Sequence, residues 1–415
     1  MARIVLKFGG TSVGDPDRIR NAARKVKAEV ERGNQVAVVV SAMSGATNQL
    51  VKWVNDIAPI HDPAEYDMVV ATGEQVTIGL MALALQQMGV KSRSWGSWQI
   101  PIRTDDAHAK ARILAIDTGP LGAAMSGGEV PIVPGFQGVS PGGRVTTLGR
   151  GGSDTSAVAL AAALGAHRCD IYTDVDGVYT TDPRIVERAR KIDRVTYEEM
   201  LEMASLGSKV LQTRSVELAM NHRVRVQVLS SFDAALGSDL PGTLVVDEDE
   251  IMAQGIEKSV VSGIAYSKDD AKVTVTRVAD QPGVAAAIFG PLADANINVD
   301  MIVQNVSLDG SSTDITFTVP RTDLARAVQC LEKSKADLRF DAVKSDTNVA
   351  KVSVIGVGMR SHAGVALAMF RTLADKGINI QVISTSEIKI SVLVAAEYTE
   401  LAVRALHSAY GLDAA

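Results

Sequence analysis

The feature that most constrains this chain is a set of short, almost wholly apolar runs among helix-like patterns. Ile4-Val-Leu-Lys-Phe8, Gln35-Val-Ala-Val-Val-Val40 and Val130-Pro-Ile-Val133 show no alternation of polar and apolar residues. Such strands have no face to give to water, so they belong inside a sheet covered on both sides. Between the first two, Asp15-Pro16 supplies a cap and a proline suited to the first helical position. Ile19, Ala22, Ala23, Val26 and Val30 then recur at helical spacing, and Gly33 ends the run. A Ser156–Leu164 helix, an Asp170–Val175 strand and a Tyr197–Leu206 helix continue the alternation. The pattern predicts an α/β unit, a mostly parallel sheet sandwiched by helices.

Near residue 230 the texture changes. Ser230-Ser-Phe-Asp and Leu240-Pro-Gly-Thr are turn-rich, and Asp247-Glu-Asp-Glu250 reads as a solvated acidic linker. Beyond it, Pro282–Ile302 aligns with Ala363–Ile383 at an offset of 81, with 11 of 21 positions identical. Each copy has a strand before it, a strand after it and then a helix, the order of a ferredoxin-like βαββαβ unit. The first copy has its own last strand at Leu338–Val343, whereas the second has almost no chain left for one. The β-branched Ser259–Tyr266 run is therefore expected to pair into the second repeat, inserting the first within it. The expected division is 1–245, a linker over 246–262, and repeats over 263–346 and 347–415, the last completed by a strand from about 256–266.

Composition excludes several classes. With 42 Lys and Arg against 48 Asp and Glu, the net charge of −6 gives no reason to bind nucleic acid or an anionic membrane. Two distant cysteines, Cys169 and Cys330, make neither a disulfide framework nor a zinc knuckle, which fits a cytoplasmic protein. Six scattered histidines offer no metal motif, so no protein metal site is expected. The apolar stretch Ala157–Ala166 is far shorter than the roughly 20 residues needed to span a bilayer.

Chemistry concentrates in four segments. Lys7-Phe-Gly-Gly-Thr-Ser12 places a cation at a strand end, then backbone free to approach a ligand, which suits phosphate; a plain turn with a solvated lysine reads equally from the residues. Gly149-Arg-Gly-Gly-Ser-Asp-Thr155 stands before an alanine-rich helix, where Arg150 can bind a carboxylate or phosphate in two-pronged fashion. Asp154 there serves either as the helix cap or as a partner that orients a lysine. Thr173–Arg184 packs acids, hydroxyls and an arginine into turn chemistry, and Gly207-Ser-Lys209 breaks two helical stretches.

Together with Val40-Ser-Ala-Met-Ser-Gly45 and Gly73-Glu74, these motifs resemble, in order and over essentially the whole chain, those of aspartate kinases of the amino-acid kinase superfamily. The paired repeats resemble their tandem ACT domains. The resemblance implies ATP-dependent phosphorylation of the β-carboxylate of aspartate, the entry to lysine, threonine and methionine (diaminopimelate) biosynthesis, with feedback through the ACT units.

The resemblance also implies roles. Lys7, Asp154 and Lys209 would be catalytic, with Asp154 organising the two lysines. Lys7, Phe8, Gly9, Gly10, Ser41, Ser153, Thr173, Asp174, Tyr179, Thr180, Thr181, Asp182, Pro183, Arg184, Lys209 and Val210 would surround ATP. Gly45, Ala46, Thr47, Asn48, Gln49, Glu74, Arg150, Gly151, Gly152 and Ser153 would hold aspartate, Glu74 on its ammonium and Arg150 on its α-carboxylate. An effector, threonine or lysine or both, would meet Asp280, Gln281, Pro282, Gly283, Val284, Ala285, Asn298, Val299, Asp300 and Gln304 of one repeat. From the other it would meet Val365, Ala366, Asn379, Ile380, Ser386 and Glu387. Mg²⁺ would arrive on the nucleotide, keeping several waters. A homo-oligomer through the ACT units is expected, and Met252 is a candidate internal start for a separate regulatory subunit. Two alternatives remain at this point: an amino-acid sensor without catalysis, and a kinase of the same fold acting on another amino acid or a nucleotide.

Overall fold

The computed structural model describes residues 2–99, 102–207, 210–233, 242–252, 260–307, 312–335 and 339–413. The chain forms two compact units, each discontinuous in sequence. The first comprises Met1–Val178, Lys191–Ser205 and Lys209–Glu257; the second comprises Tyr179–Arg190, Leu206–Ser208 and Lys258–Ala415.

The first unit is built on an eight-stranded sheet. Its order is Arg194–Thr196, Thr243–Val246, Val226–Ser230, Arg168–Thr173, Arg3–Phe8, Gln35–Val40, Val130–Pro134 and Ser92–Ser94. Only the Val226–Ser230 and Thr243–Val246 pair runs antiparallel. Arg3–Phe8 is central because it has apolar residues for both faces. Ile4, Leu6 and Phe8 pack under helix Pro16–Glu31 through Ile19, Ala23 and Val26. That helix begins where the cap signal placed it, with the Asp15 carboxylate accepting from Arg18 N at 2.9 Å. A second, small sheet joins Ile113–Ile116, Ile102–Thr104, Gln137–Val139 and Val145–Thr147.

Several expectations are corrected. Helix Gly152–Ala163 starts four residues before Ser156, so Asp154 lies in its first turn and Gly151 is the cap. The acidic run is not simply solvated: Thr243–Val246 is a sheet strand and Glu248–Met252 a short helix. Arg225 reaches Glu250 at 2.9 Å, so the run is docked by charge. The apolar stretch Ala157–Ala166 is not the longest helical one. Pro63–Gln87 is long and apolar enough to cross a membrane by length and composition, yet half of it is buried inside the protein. It is two helices, Pro63–Val70 and Thr72–Gln87, with Asp67 and Glu74 buried among their residues.

The second unit holds two four-stranded antiparallel sheets. One is ordered Asp300–Val306, Ser312–Pro320, Asp270–Ala279, Ala342–Asp346 and carries helices Val284–Asp294 and Leu324–Lys333. Its last strand starts later than Leu338 because Arg339 turns at φ 49° and Phe340 drops into the core. The other is ordered Gly263–Ser267, Val349–Ile355, Lys389–Ala395, Val382–Thr385, with helices Val365–Asp375 and Thr399–Ala409. Its edge strand Gly263–Ser267 comes from upstream, with Ile264 opposite Val354, so the first repeat lies in sequence inside the second. Val261 and Ile264 fill the same core as Val352, Val392 and Leu406.

Tyr179–Arg190 also belongs to this unit, although it follows a strand of the first in sequence. Ile264 N donates to Thr180 O at 2.7 Å, and Arg190 Nε donates to Leu412 O at 2.8 Å. The Thr180 hydroxyl meets the buried His407 ring at 2.9 Å.

If Gly263–Ser267 is structural to the second repeat, Ile264→Ala leaves a cavity in that core and costs about 2–5 kcal/mol. The three tryptophans, Trp53, Trp95 and Trp98, all lie in the first unit. Denaturant melts of the variant should therefore show an earlier loss of circular dichroism with the tryptophan fluorescence midpoint unmoved.

Candidate active site

The site starts from a lysine that the fold buries. Lys7, in the central strand, is 8% exposed, and its Nζ lies 2.6 Å from Asp154 Oδ1. The contact is one of charge, since its alignment falls short of a hydrogen bond. Asp154 is presented by the first turn of helix Gly152–Ala163. The turn before it needs glycine at Gly151, where φ is 73° and a Cβ would stand 2.0 Å from Gln212 Cγ. Backbone also approaches closely at Gly10, where a Cβ would meet Ala42 O at 3.0 Å.

These elements enclose a cavity of about 340 Å³. Of the residues expected from the sequence, it brings together Lys7, Gly10, Ser41, Gly45, Thr47, Glu74, Arg150, Gly151, Gly152, Ser153 and Asp154. It adds Ala42, Met43, Ser44, Phe136, Gly149 and Gln212. The motifs around Ser41 and Arg150 could have pointed to most of these; Gln212 has no local signal.

Glu74 carries the electrostatic strain. It is 3% exposed; Oε1 accepts from Ala42 N at 3.0 Å, while Oε2 is buried without a partner. Burial pushes the carboxyl up to about 7, against the pull of the Ala42 N–H. An unpaired buried carboxylate facing a cavity suits a ligand cation.

Other expected residues lie elsewhere. The Phe8 side chain is fully buried and stacks on Tyr172 at 4.9 Å, so only its backbone is left for a ligand. Gly9 N donates to Tyr172 O at 3.2 Å. Ala46, Asn48 and Gln49 do not line the cavity, and neither do Thr173 and Asp174, which bond each other at 3.1 Å. Tyr179, Thr180, Thr181, Asp182, Pro183 and Arg184 are in the second unit; there Arg184 and Tyr266 both bond Asp182. Val210 is half-buried, and Lys209 lies outside the described residues.

In the second unit Asp280, Gln281, Pro282, Gly283, Ala285, Asn298, Gln304, Asn379, Ser386 and Glu387 are exposed, Val299, Val365, Ala366 and Ile380 half-buried and Val284 buried. Gly283 and Gly364 each open a helix at φ 94° and 98°, so the two repeats present matching turns. Two of the expected effector residues are already engaged within the chain. Asp300 pairs at 2.8 Å with Lys351, a buried lysine that also has Asp270 at 3.5 Å. Glu387 faces Arg360 at 3.5 Å.

Comparison with known proteins places the chain in a family. The amino acid kinase family model matches residues 2–230, and an ACT domain model matches 273–334 and 352–410. The aspartokinase of Pseudomonas aeruginosa is 56% identical over 414 residues, covering 100% of this chain and 98% of that one. An aspartate kinase of Pseudomonas putida is 55% identical over 415 residues, with the same coverage. Among solved structures, E. coli aspartokinase III in complex with aspartate and ADP superposes with a TM-score of 0.79 at 29% identity, covering 98% of this chain and 99% of that one. Its lysine and aspartate complex gives a TM-score of 0.73 at 29% identity, covering 98% of each.

Glu74 has a consequence for stability. Its carboxyl binds a proton more tightly folded, at about 7, than unfolded, near 4.5, so its contribution is full at low pH and is lost as pH rises through 7. Glu74→Gln removes that loss. Above pH 7 the ligand-free variant should be more stable than the parent, by at most about 3 kcal/mol, and below pH 4.5 the two should match. Denaturant melts across pH measure this directly.

Proposed function

Because the chain belongs to the aspartokinases, ACT-bearing members of the amino acid kinase family, we propose that the cavity around Lys7 and Asp154 is where it transfers phosphate. The chain phosphorylates aspartate and is allosterically regulated. It uses a nucleotide. The finer reading assigns residues 1–245 to catalysis, with ATP as donor and the β-carboxylate as acceptor. It assigns 263–346 and 347–415 to regulation.

The carrying observation is the buried Lys7–Asp154 pair beside the unpaired Glu74 carboxylate. An aspartate side chain, pKa about 3.9, is ionised at neutral pH and needs no general base. Its oxygen attacks the γ-phosphorus, the bond to the ADP oxygen breaks, and an acyl phosphate and ADP result. The difficulty is bringing two anions together, and the answer is fixed positive charge with in-line positioning. Lys7 supplies that charge at a position fixed by Asp154, and Lys209 would supply a second. The backbone amide at Gly10, where the chain approaches closely, offers a donor to phosphate oxygens. Glu74 takes the substrate ammonium, and Arg150 takes its α-carboxylate.

Among the described residues no three metal-ligating side chains gather, so a Mg²⁺ would be held chiefly by phosphates and water, with Asp154 within the same cavity. When bound it supplies neutralisation of phosphate charge. We assign the protein to the cytoplasm, as a homo-oligomer joined through the ACT units; a regulatory subunit begun at Met252 is part of the same proposal. The exposed faces from Asp280 and Asn379 are the proposed effector surface for lysine or threonine.

A sensor without catalysis has no use for a buried lysine aimed at a cavity, so the kinase reading is preferred. Trapping the product with hydroxylamine as aspartyl hydroxamate tests it: ATP-dependent hydroxamate should form with aspartate and not with glutamate. Lys7→Ala should lower kcat on the order of 100-fold or more, and Glu74→Gln should raise KM for aspartate more than KM for ATP. Turnover near normal in Lys7→Ala would overturn the catalytic assignment. Gln304→Ala should relieve inhibition by lysine or threonine with basal turnover kept, and undiminished inhibition would move the effector site elsewhere.

A further inference from the structure

A second buried acid lies close behind the substrate turn, and catalysis as derived above makes no use of it. Asp67, on helix Pro63–Val70, is fully buried. Its Oδ2 is 2.7 Å from His108 Nδ1, and its two oxygens accept from the Ala109 amide at 3.1 and 3.0 Å. Its Oδ1 also accepts from the Thr147 hydroxyl. Three donors on one carboxylate tie two separate parts of the chain, at 108–109 and at 147, to helix Pro63–Val70. The local backbone yields to this arrangement, since Ala109 sits at φ 65°, a region that side chains other than glycine seldom adopt.

What the carboxylate gathers is the approach to Arg150. Thr147 ends strand Val145–Thr147, and its carbonyl accepts from Ala111 N at 2.9 Å. Arg214 clamps the next step from the other side, donating to Leu148 O and to Ala111 O, each at 2.9 Å. Gly149 follows at φ 79°, so close to the Ala109 carbonyl that a Cβ would stand 3.1 Å from it. Gly152 N then returns a bond to Gly149 O at 3.0 Å, closing the turn that carries Arg150 into the cavity wall. The Ala109 carbonyl against which Gly149 packs belongs to the residue whose amide Asp67 holds.

We propose that Asp67 is a positioning residue for substrate binding: through His108, Ala109 and Thr147 it fixes the 147–152 turn, and thereby sets where the Arg150 guanidinium meets the α-carboxylate of aspartate. This rests on the role of Arg150 proposed above. A bidentate contact tolerates little displacement, because both N–H···O bonds must stay aligned. Loosening the turn therefore weakens aspartate binding more than nucleotide binding, since Lys7 stands on the separate strand Arg3–Phe8.

The test is steady-state kinetics on the full chain with Asp67→Asn, His108→Gln and Thr147→Val, read beside thermal melts and Arg150→Ala. KM for aspartate should rise about tenfold in Asp67→Asn and several-fold in the other two, while KM for ATP stays within about twofold. Combined with Arg150→Ala, each change should add little, since both act through one contact. Should Asp67→Asn fail to fold, the half-buried His108 and the uncharged Thr147 carry the same comparison. Arg150→Ala with an unchanged KM for aspartate overturns the reading of Arg150, and this inference with it. A raised KM in Arg150→Ala alongside normal values in the Asp67, His108 and Thr147 variants overturns this inference alone. Equal rises in both KM values, or full additivity with Arg150→Ala, reduce Asp67 to a stabilising residue and also overturn it.

Discussion

The contact between Lys7 and Asp154 is the constraint on which the rest of the first unit depends. A lysine in a central strand, flanked by Leu6 and Phe8 with no exposed surface, loses most of its hydration. An acid delivered to it offsets the cost of burying its charge, and that acid must come from an element that can reach the strand end. Helix Gly152–Ala163 is that element, and it is buried along nearly its whole length. Its small residues, Ala157, Ala159 and Ala161 among them, let it lie against the sheet closely enough for its first turn to meet the lysine. The glycine before it has a separate cause: at Gly151 the backbone is left-handed and Gln212 leaves no room for a side chain.

The cavity that results is not electrostatically balanced. Lys7 and Asp154 cancel, Arg150 is exposed at the rim, and Glu74 is left buried with one oxygen unmet. Leaving that oxygen bare destabilises the empty protein, and a ligand ammonium removes the cost on binding. Binding energy gained in this way comes from relief of a strain the fold already holds. Asp67 is the contrasting case, also buried but with three donors, and its chemistry is spent on holding one backbone amide and two side chains.

The sequence made the large elements legible because their signals are local. Asp15-Pro16 capped a helix, runs such as Gln35–Val40 had no polar face, and the two repeats exposed one another by identity. The three-residue strands Ile102–Thr104, Gln137–Val139 and Val145–Thr147 were not legible, because three residues carry no periodicity. Much of the cavity was readable for a different reason: glycines and a lysine or arginine cluster where backbone must meet an anion. Gln212 was not, since it reaches the site only after the chain has turned back past residue 210. The role of Asp67 was hidden likewise, its partners lying 41 and 80 positions away.

The membership of Tyr179–Arg190 shows how far local signals can mislead about boundaries. Its turn residues follow directly on a strand of the kinase sheet, so a reading along the chain leaves it there. Its partners are set by bonds that span 227 positions from Thr180 to His407 and 222 from Arg190 to Leu412. His407 is fully buried, and burial holds its ring below the ordinary histidine range, so it meets the Thr180 hydroxyl as a neutral group. A neutral, dry contact of this kind is insensitive to salt and is lost only if the two elements separate. The helix carrying His407, Thr399–Ala409, packs in the same core as the upstream strand Gly263–Ser267 and the helix opened by Gly364. The segment that resembles a nucleotide loop is thus built from kinase sequence but held by the side chains of the second repeat.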